Sequence, residues 1–347
     1  MKKERAGGKF SQVIRWVGYL TAIFSLCATV FGVAKYVYGR AETRKNLTAL
    51  LAMEAEQLKS HDYPSAWQTL EKASKLKPDS ARVRDAQEIL AMEWLDNIHR
   101  PEGQRFSDVT QELEPVLTRA VAAAKPGPRQ ADLRAHIGWA YFLESQDGRF
   151  DLDPTGPYRE AIAEDPNSPY AEAMWGYLTL SNHCYRVKEA APHFAAALAS
   201  QREGEFVRRL QMAVLLDCEG EDADPEVIRV VNAMRKEQRT LGEYERSHIF
   251  GIYYSEVMHE TANTAAFLNA VPPAEHLATF RWLFDKWGAD NSSNQWSRDY
   301  YLARLQEAAG QRDEALANYK LVLSHTPPHS GDRWQGADAG VKRLSKH

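Results

Sequence analysis

"SHDYPSAWQTLEKASKLKPD", residues 60–79, opens with a polar turn, continues as a helix with small residues at regular intervals, and stops at Pro78. "AAGQRDEALANYKLVLSHTP", residues 308–327, keeps the same order. Ala66, Leu70, Ala73 and Pro78 of the first stretch correspond to Ala315, Tyr319, Val322 and Pro327 of the second. Small residues let paired helices approach, large apolar residues fill the remaining space, and proline ends the second helix because it has no amide to donate. No alternating apolar–polar run is long enough for a sheet, so the chain is expected to be all-α.

Aligned in full, the two stretches belong to a helix–turn–helix unit that resembles the tetratricopeptide repeat, whose period is about 34 residues. Residues 47–80 resemble one copy, with Leu50 and Met53 as first-helix anchors and Tyr63, Ala66, Leu70, Ala73 and Pro78 following the turn. Residues 131–168 resemble a second, through Ile137, Gly138, Tyr141, Tyr158, Ala161 and Pro166. Its inter-helix turn "ESQDGRFDLDPTG" is longer and puts Pro154 near the usual alanine. Residues 168–200 keep Gly176, Ala190, Phe194 and Ala197 without a closing proline, and residues 296–329 keep Leu302, Gly310, Ala315, Tyr319 and Pro327. The resemblance implies a right-handed helical solenoid that binds proteins along the concave face made by its first helices.

Between these copies the chain is helical but degenerate. Residues 80–98 carry Ile89, Met92 and Leu95 at helical spacing, and residues 107–124 carry Leu113, Val116 and Leu117. "KPGPRQ" (125–130) is a break. Further helices are expected over 205–287, one starting at Asp224-Pro225, and the tail after Gly331 suits a helix that covers the last repeat. The expected divisions are a basic tail (1–15), an apolar span (16–38), N-terminal repeat-like helices (39–130), central repeats (131–204), degenerate helix pairs (205–295), and a C-terminal repeat with its capping helix (296–347).

The N-terminus follows a different logic. "WVGYLTAIFSLCATVFGVA", from Trp16 to Ala34, runs 19 residues without a charge. As a helix this run spans about 28 Å, close to the thickness of a bilayer's hydrocarbon. Trp16, Tyr36 and Tyr38 sit where interfacial aromatics belong. The run is too long for the core of a cleaved signal peptide, and Leu26 stands where a lipoprotein signal needs a small residue before Cys27. A single transmembrane anchor over 16–38 is therefore expected. Lys2, Lys3, Arg5, Lys9 and Arg15 precede it, against Lys35, Arg40, Arg44 and Lys45 with Glu42 after it. That small excess favours a cytoplasmic N-terminus and a periplasmic body, in a single-pass inner-membrane protein, with a cytoplasmic body as the alternative.

The net charge of −4 is unevenly spread: residues 1–40 hold seven Lys/Arg and one acid, leaving 36 bases and 46 acids in residues 41–347. A body this acidic repels phosphate backbones, so nucleic acid is not an expected ligand. Catalytic constellations are also lacking. His259-Glu260 begins like a zinc-protease helix, but Asn263 stands where the second histidine belongs. His183, Cys184, His193 and Cys218 fit no usual zinc spacing. No catalytic residue, metal or cofactor is expected. Cys184 and Cys218 are one repeat period apart, and equivalent positions on stacked repeats lie about 9–10 Å apart, beyond disulfide reach. Two free buried thiols are expected.

The resemblance carries the binding surface onto Asp132, Ala135, Trp139 and Phe142 of the second copy and Tyr170, Ala173, Tyr177 and Leu180 of the third. The competing reading is that Trp139 and Tyr177 only pack between neighbouring repeats. Relatives that grip chaperone C-termini carry Lys and Asn where this chain has Leu51 and Ala55, which argues against a carboxylate clamp there. The expected function is a membrane-tethered scaffold for protein–protein interaction or complex assembly, without catalytic activity. The alternative is a sensor or enzyme component with a small-ligand site in 205–295.

Overall fold

The computed structural model describes residues 31, 35–98, 105–218, 222–259, 263–285, 292–326, 328 and 331–346. The described residues are helical with intervening turns and contain no strand. Most of the expected span over 16–38 lies outside them. Its described part is helical, with Phe31, Tyr36, Val37 and Tyr38 exposed. Among the described residues, no helix is long and apolar enough to cross a membrane.

Contacts divide the chain into two compact units, Met1–Gln104 with Gln111–Ala120, and Arg105–Thr110 with Val121–His347. The first unit holds helix α1 (35–59 of the described residues), α2 (Tyr63–Leu76), α3 (Ala81–Asp96) and the middle of α4 (Ser107–Ala123). Asp62 caps α2 by accepting from the Ser65 amide at 3.3 Å. Ala66, Leu70 and Ala73 are fully buried, as the repeat pattern requires. Two details differ from expectation. The first-helix anchors are Leu47, Leu50 and Leu51, packed with Ala73 and Val83, while Met53 is exposed. In α3, Leu95 is buried as expected, but Ile89 is exposed and Met92 half-buried, and Leu90 and Ala91 are buried in their place.

The second unit continues with α5 (Pro128–Ser145), α6 (Thr155–Glu164), α7 (Pro169–Asn182), a short 3₁₀ turn (Cys184–Arg186), α8 (Val187–Ala199), α9 (Gly204–Leu216) and α10 (Ala223–Lys236). It then runs through α11 (Glu243–Tyr253) with a π-helical extension (Tyr254–Met258), α12 (Thr264–Leu268) and α13 (Pro273–Phe284). Last come α14 (Ser292–Ala308), α15 (Arg312–His325) and α16 (Asp332–Leu344). Helix α5 packs on α6 and on α7, and α7 packs on α8 and on α9. From α5 to α9 each helix pair thus meets its sequence neighbour through its first helix, which is how stacked repeats bury a continuous core. α14 and α15 form the last pair, and α16 packs against α15.

Close approach within the pairs depends on glycine. A Cβ on Gly138 would lie 2.6 Å from Cε1 of Tyr158, and one on Gly176 would lie 2.9 Å from Cε2 of Phe194. In both pairs the second helix lays an aromatic ring against bare backbone of the first. The turns repeat as well. After α1, His61 donates its amide to Leu58 and Asp62 to Gln57; after α14, Gly310 donates to Glu307 and Gln311 to Gln306. After α5, Gly148 and Arg149 do the same with Ser145 and Glu144. The central residue has positive φ each time: 57° at His61, 90° at Gly148 and 75° at Gly310.

Cys184 and Cys218 are not free thiols. They form a disulfide, with Cα atoms 5.3 Å apart. Each follows a first helix by two residues, α7 and α9, so the two are equivalent as the period implied. They stand in turns beyond the helix ends, where the chain leaves the helix axis and can close a gap that the axes keep open.

Candidate interaction surface on the first-helix row

Helices α5, α7 and α9 form a row, and the eight expected groove residues lie on its first two members. Ala135, Ala173 and Leu180 are buried between helices and present no surface. Trp139 and Phe142 are nearly buried, at 7% and 5% exposure, and stack on one another with centroids 5.0 Å apart. Tyr177 of α7 meets both edge-on, at 5.2 and 5.6 Å, so it bridges the two helices. Asp132, Tyr170 and Tyr177 are half-buried and carry what surface the set has.

A second aromatic line runs beside the first. The His136 ring lies 4.5 Å from Tyr170, Tyr170 lies 4.9 Å from Phe206 of α9, and the Arg209 guanidinium lies 5.9 Å from the Phe206 ring. Three consecutive first helices are therefore joined ring to ring, with a cation at the end. Phe206 and Arg209 were not among the expected residues. Phe206 stands in the first turn of α9, as Tyr170 does in α7, but two residues later than the 34-residue period would put it.

The polar frame is built from ion pairs. Arg202, in the turn before α9, reaches Asp165 at 2.8 Å and Asp132 at 3.4 Å, and Ser168 donates to Asp132 at 3.3 Å. Burial raises the Asp132 carboxyl above its usual range, against the pull of Arg202 and His136. Burial also raises the Tyr177 phenol, helped by the nearby Asp217 carboxylate. Tyr177 is thus neutral at any physiological pH, a donor and acceptor set in an aromatic patch. Arg134 is paired with Glu160 and with Glu164, tying α5 to α6.

Asp217 also borders a cavity of about 310 Å³ between α9, α10 and the start of α11. Met212, Leu216, Met234 and Leu241 form its floor, Arg208, Arg209 and Arg239 its rim, and the exposed Tyr244 its edge. On the second-helix side, a wider groove of about 570 Å³ runs between α8 and α10 past Ala191, Pro192 and Ala195. Among the described residues no group of His, Cys, Asp and Glu is placed to hold a metal ion. His193 pairs with Glu172 at 2.6 Å and stacks on Trp175, while His259 pairs with Asp332 at 2.9 Å.

No family model and no curated protein matches the chain. One solved structure to which it is similar is that of a tetratricopeptide repeat protein from Parabacteroides merdae ATCC 43184. That protein is 12% identical, the match covers 87% of this chain and 99% of that one, and the TM-score is 0.38. A likeness at this score carries no argument, and the repeat character rests on the helix pairs described above.

Proposed function

We propose that the chain is a membrane-tethered scaffold, without catalytic activity, whose helical body lies outside the cytoplasm and binds protein partners along the first-helix row. The observation that carries this reading is the aromatic surface around Tyr170 and Tyr177, which crosses α5, α7 and α9 and ends in Arg209. Tyr and Arg side chains on a curved face are effective anchors for a partner. The Cys184–Cys218 disulfide supports the compartment, since such bonds persist where the surroundings are oxidising. The uncharged run at 16–34 supports the tether, and the excess of bases before it supports the orientation.

Proximity labelling from an enzyme fused after Leu344 tests compartment and neighbours together. The expected result is a reproducible set of extracytoplasmic proteins, with the full-length chain retained in the membrane pellet after alkaline carbonate extraction. Labelling of cytoplasmic proteins would reverse the orientation, and release by carbonate would remove the tether. The second reading, a small-ligand component, draws on the α9–α11 cavity, which lies inside residues 205–295.

A further inference from the structure

We propose that the cavity between α9 and α11 is a socket for one aromatic side chain presented by a protein partner. The proposal rests on the scaffold reading and names the chemistry of its partner. At about 310 Å³ the cavity is small for a cofactor and suited to a single ring. Two thioethers line it, from Met212 and Met234, and both side chains are nearly buried. Thioether sulfur is soft and polarizable and gains from contact with an aromatic ring.

The rim decides between a ring and an anion. Arg208 is held by Glu237 at 2.6 Å and by Gln211 at 3.0 Å, and Arg239 is held by both Glu237 and Glu205 at 2.6 Å. The hydrogen bond from Arg208 keeps the Glu237 carboxyl below its usual range, so the neutralising charge stays in place. Arg208 and Arg239 are thus already paired, and Asp217 and Glu245 add further negative charge. A phosphate or carboxylate would have to displace these partners. A neutral ring needs no displacement, because paired guanidiniums still offer their planes for stacking. Tyr244, 66% exposed, stands at the mouth where it can close over a ring from one side.

The position fits a partner already lying on the row. Arg209 lines the cavity and lies 5.9 Å from the Phe206 ring, which meets Tyr170 at 4.9 Å, so a segment following the aromatic line from Tyr170 reaches the socket next. The ring comes from a peptide chain and not from a free small molecule, because the cavity shares Arg209 with the aromatic line on which the partner is proposed to lie.

The full-length protein labelled at its methionine methyl groups reports occupancy directly, since a bound ring shifts nearby methyl resonances. N-acetyl-tryptophanamide and N-acetyl-phenylalaninamide serve as probes, with N-acetyl-leucinamide as the aliphatic control. The expected result is a saturable upfield shift at Met212 and Met234 with both aromatic amides and a several-fold weaker response to the leucine amide. Ala213→Leu places a branched side chain at the exposed edge of the cavity and should abolish the shift while leaving the other methionine signals unmoved. Tyr244→Ala should weaken binding several-fold. No shift at either methionine, an equal response to the leucine amide, or an unchanged response in Ala213→Leu would overturn the socket. Tighter binding of free tryptophan than of its blocked amide would also overturn it, in favour of a small-ligand site. If the probes fail while partners still cross-link at Tyr170 and Tyr177, the scaffold reading stands without the socket. If the probes bind and no partner cross-links, the scaffold reading fails and the socket remains.

Discussion

The side-chain oxygen of Gln306 accepts a hydrogen bond from Asn318 Nδ2 at 2.7 Å, twelve residues further on. Gln57 does the same for Thr69 Oγ1 at 2.9 Å, across the same twelve residues. In each pair the amide of the following alanine turn, Ala315 or Ala66, closes on the residue four back at 3.0 Å. Two helix pairs from opposite ends of the chain therefore share side-chain bond, turn and buried alanine. Gln306 is 3% exposed while Asn318 is half-buried, so Gln306→Leu removes the bond without opening space and leaves an amide that can turn to water. It should cost about 1 kcal/mol, the net worth of a typical hydrogen bond. Gln306→Leu with Asn318→Leu should recover part of the loss, measured by denaturant unfolding.

Ala66 and Ala315 are both fully buried where the helices of a pair cross. Ala66→Leu and Ala315→Leu each overpack the crossing and should cost about 1–3 kcal/mol. Hydrogen exchange should show the damage near each site, in α1–α3 for the first and α14–α16 for the second, because repeat stability is shared between neighbours. Uniform loss of protection across the chain would contradict the repeat packing.

At Gly138 and Gly176 two effects oppose each other. Alanine is favoured over glycine within a helix by about 1 kcal/mol, but the new Cβ would strike Tyr158 or Phe194. At Gly138 it would also meet the Pro154 carbonyl at 3.0 Å, which is backbone and cannot swing aside. Gly138→Ala should therefore destabilise more than Gly176→Ala. Gly251, in α11, has nothing within 4 Å of its Cβ position. Gly251→Ala should be neutral or stabilising by up to about 1 kcal/mol. Thermal unfolding of the three variants gives the order directly.

The disulfide predicts a thiol count. With three cysteines in the chain and two joined, denatured full-length protein should titrate as one thiol, and as three after reduction. Closing a loop over a separation of 34 residues constrains the unfolded chain, so Cys184→Ser with Cys218→Ser should cost about 4 kcal/mol.

His276 donates from Nδ1 to the Leu268 carbonyl at 3.1 Å, and its Nε2 accepts from the Tyr253 hydroxyl at 2.8 Å. Burial pushes its pKa down to about 4 from the ordinary 6.5. The unfolded chain therefore takes up a proton first as pH falls. Stability is full above about 6.5 and declines down to about 4, by at most about 3 kcal/mol. Raised carboxyls such as Asp132 and Asp299 act in the opposite direction. The contribution is read by comparison: His276→Gln should flatten the slope of stability against pH between 4 and 6.5. An unchanged slope would mean that the imidazole is not held neutral.

The helix pairs were legible because Ala66, Gly138, Gly176, Ala315 and the prolines are residue types that close packing demands. Their order along the chain carries the pairing with it. The disulfide was not legible, because it depends on how two turns lean beyond the helix ends, and helix spacing alone argues against it. Met53 and Ile89 were misplaced for a smaller reason. Each helix carries more apolar residues at helical spacing than it buries, and only the neighbouring helix selects Leu47 or Leu90 instead. Of the expected surface, Ala135, Ala173 and Leu180 lie on α5 and α7 but face inward. Phe206 and the α9–α11 cavity were hidden because their segment departs from the repeat's usual residues.

Partner binding on the first-helix row is tested most directly by site-specific photo-cross-linking in cells. The cross-linker replaces Tyr170 or Tyr177 on the row, and, as controls, Phe150 or Tyr185, which are 84% and 72% exposed but stand in turns outside it. Discrete protein adducts are expected from Tyr170 and Tyr177, and weak or diffuse ones from the more exposed controls. Adducts that follow exposure alone, strongest at Phe150 and Tyr185 and absent at Tyr170 and Tyr177, would contradict binding on the row.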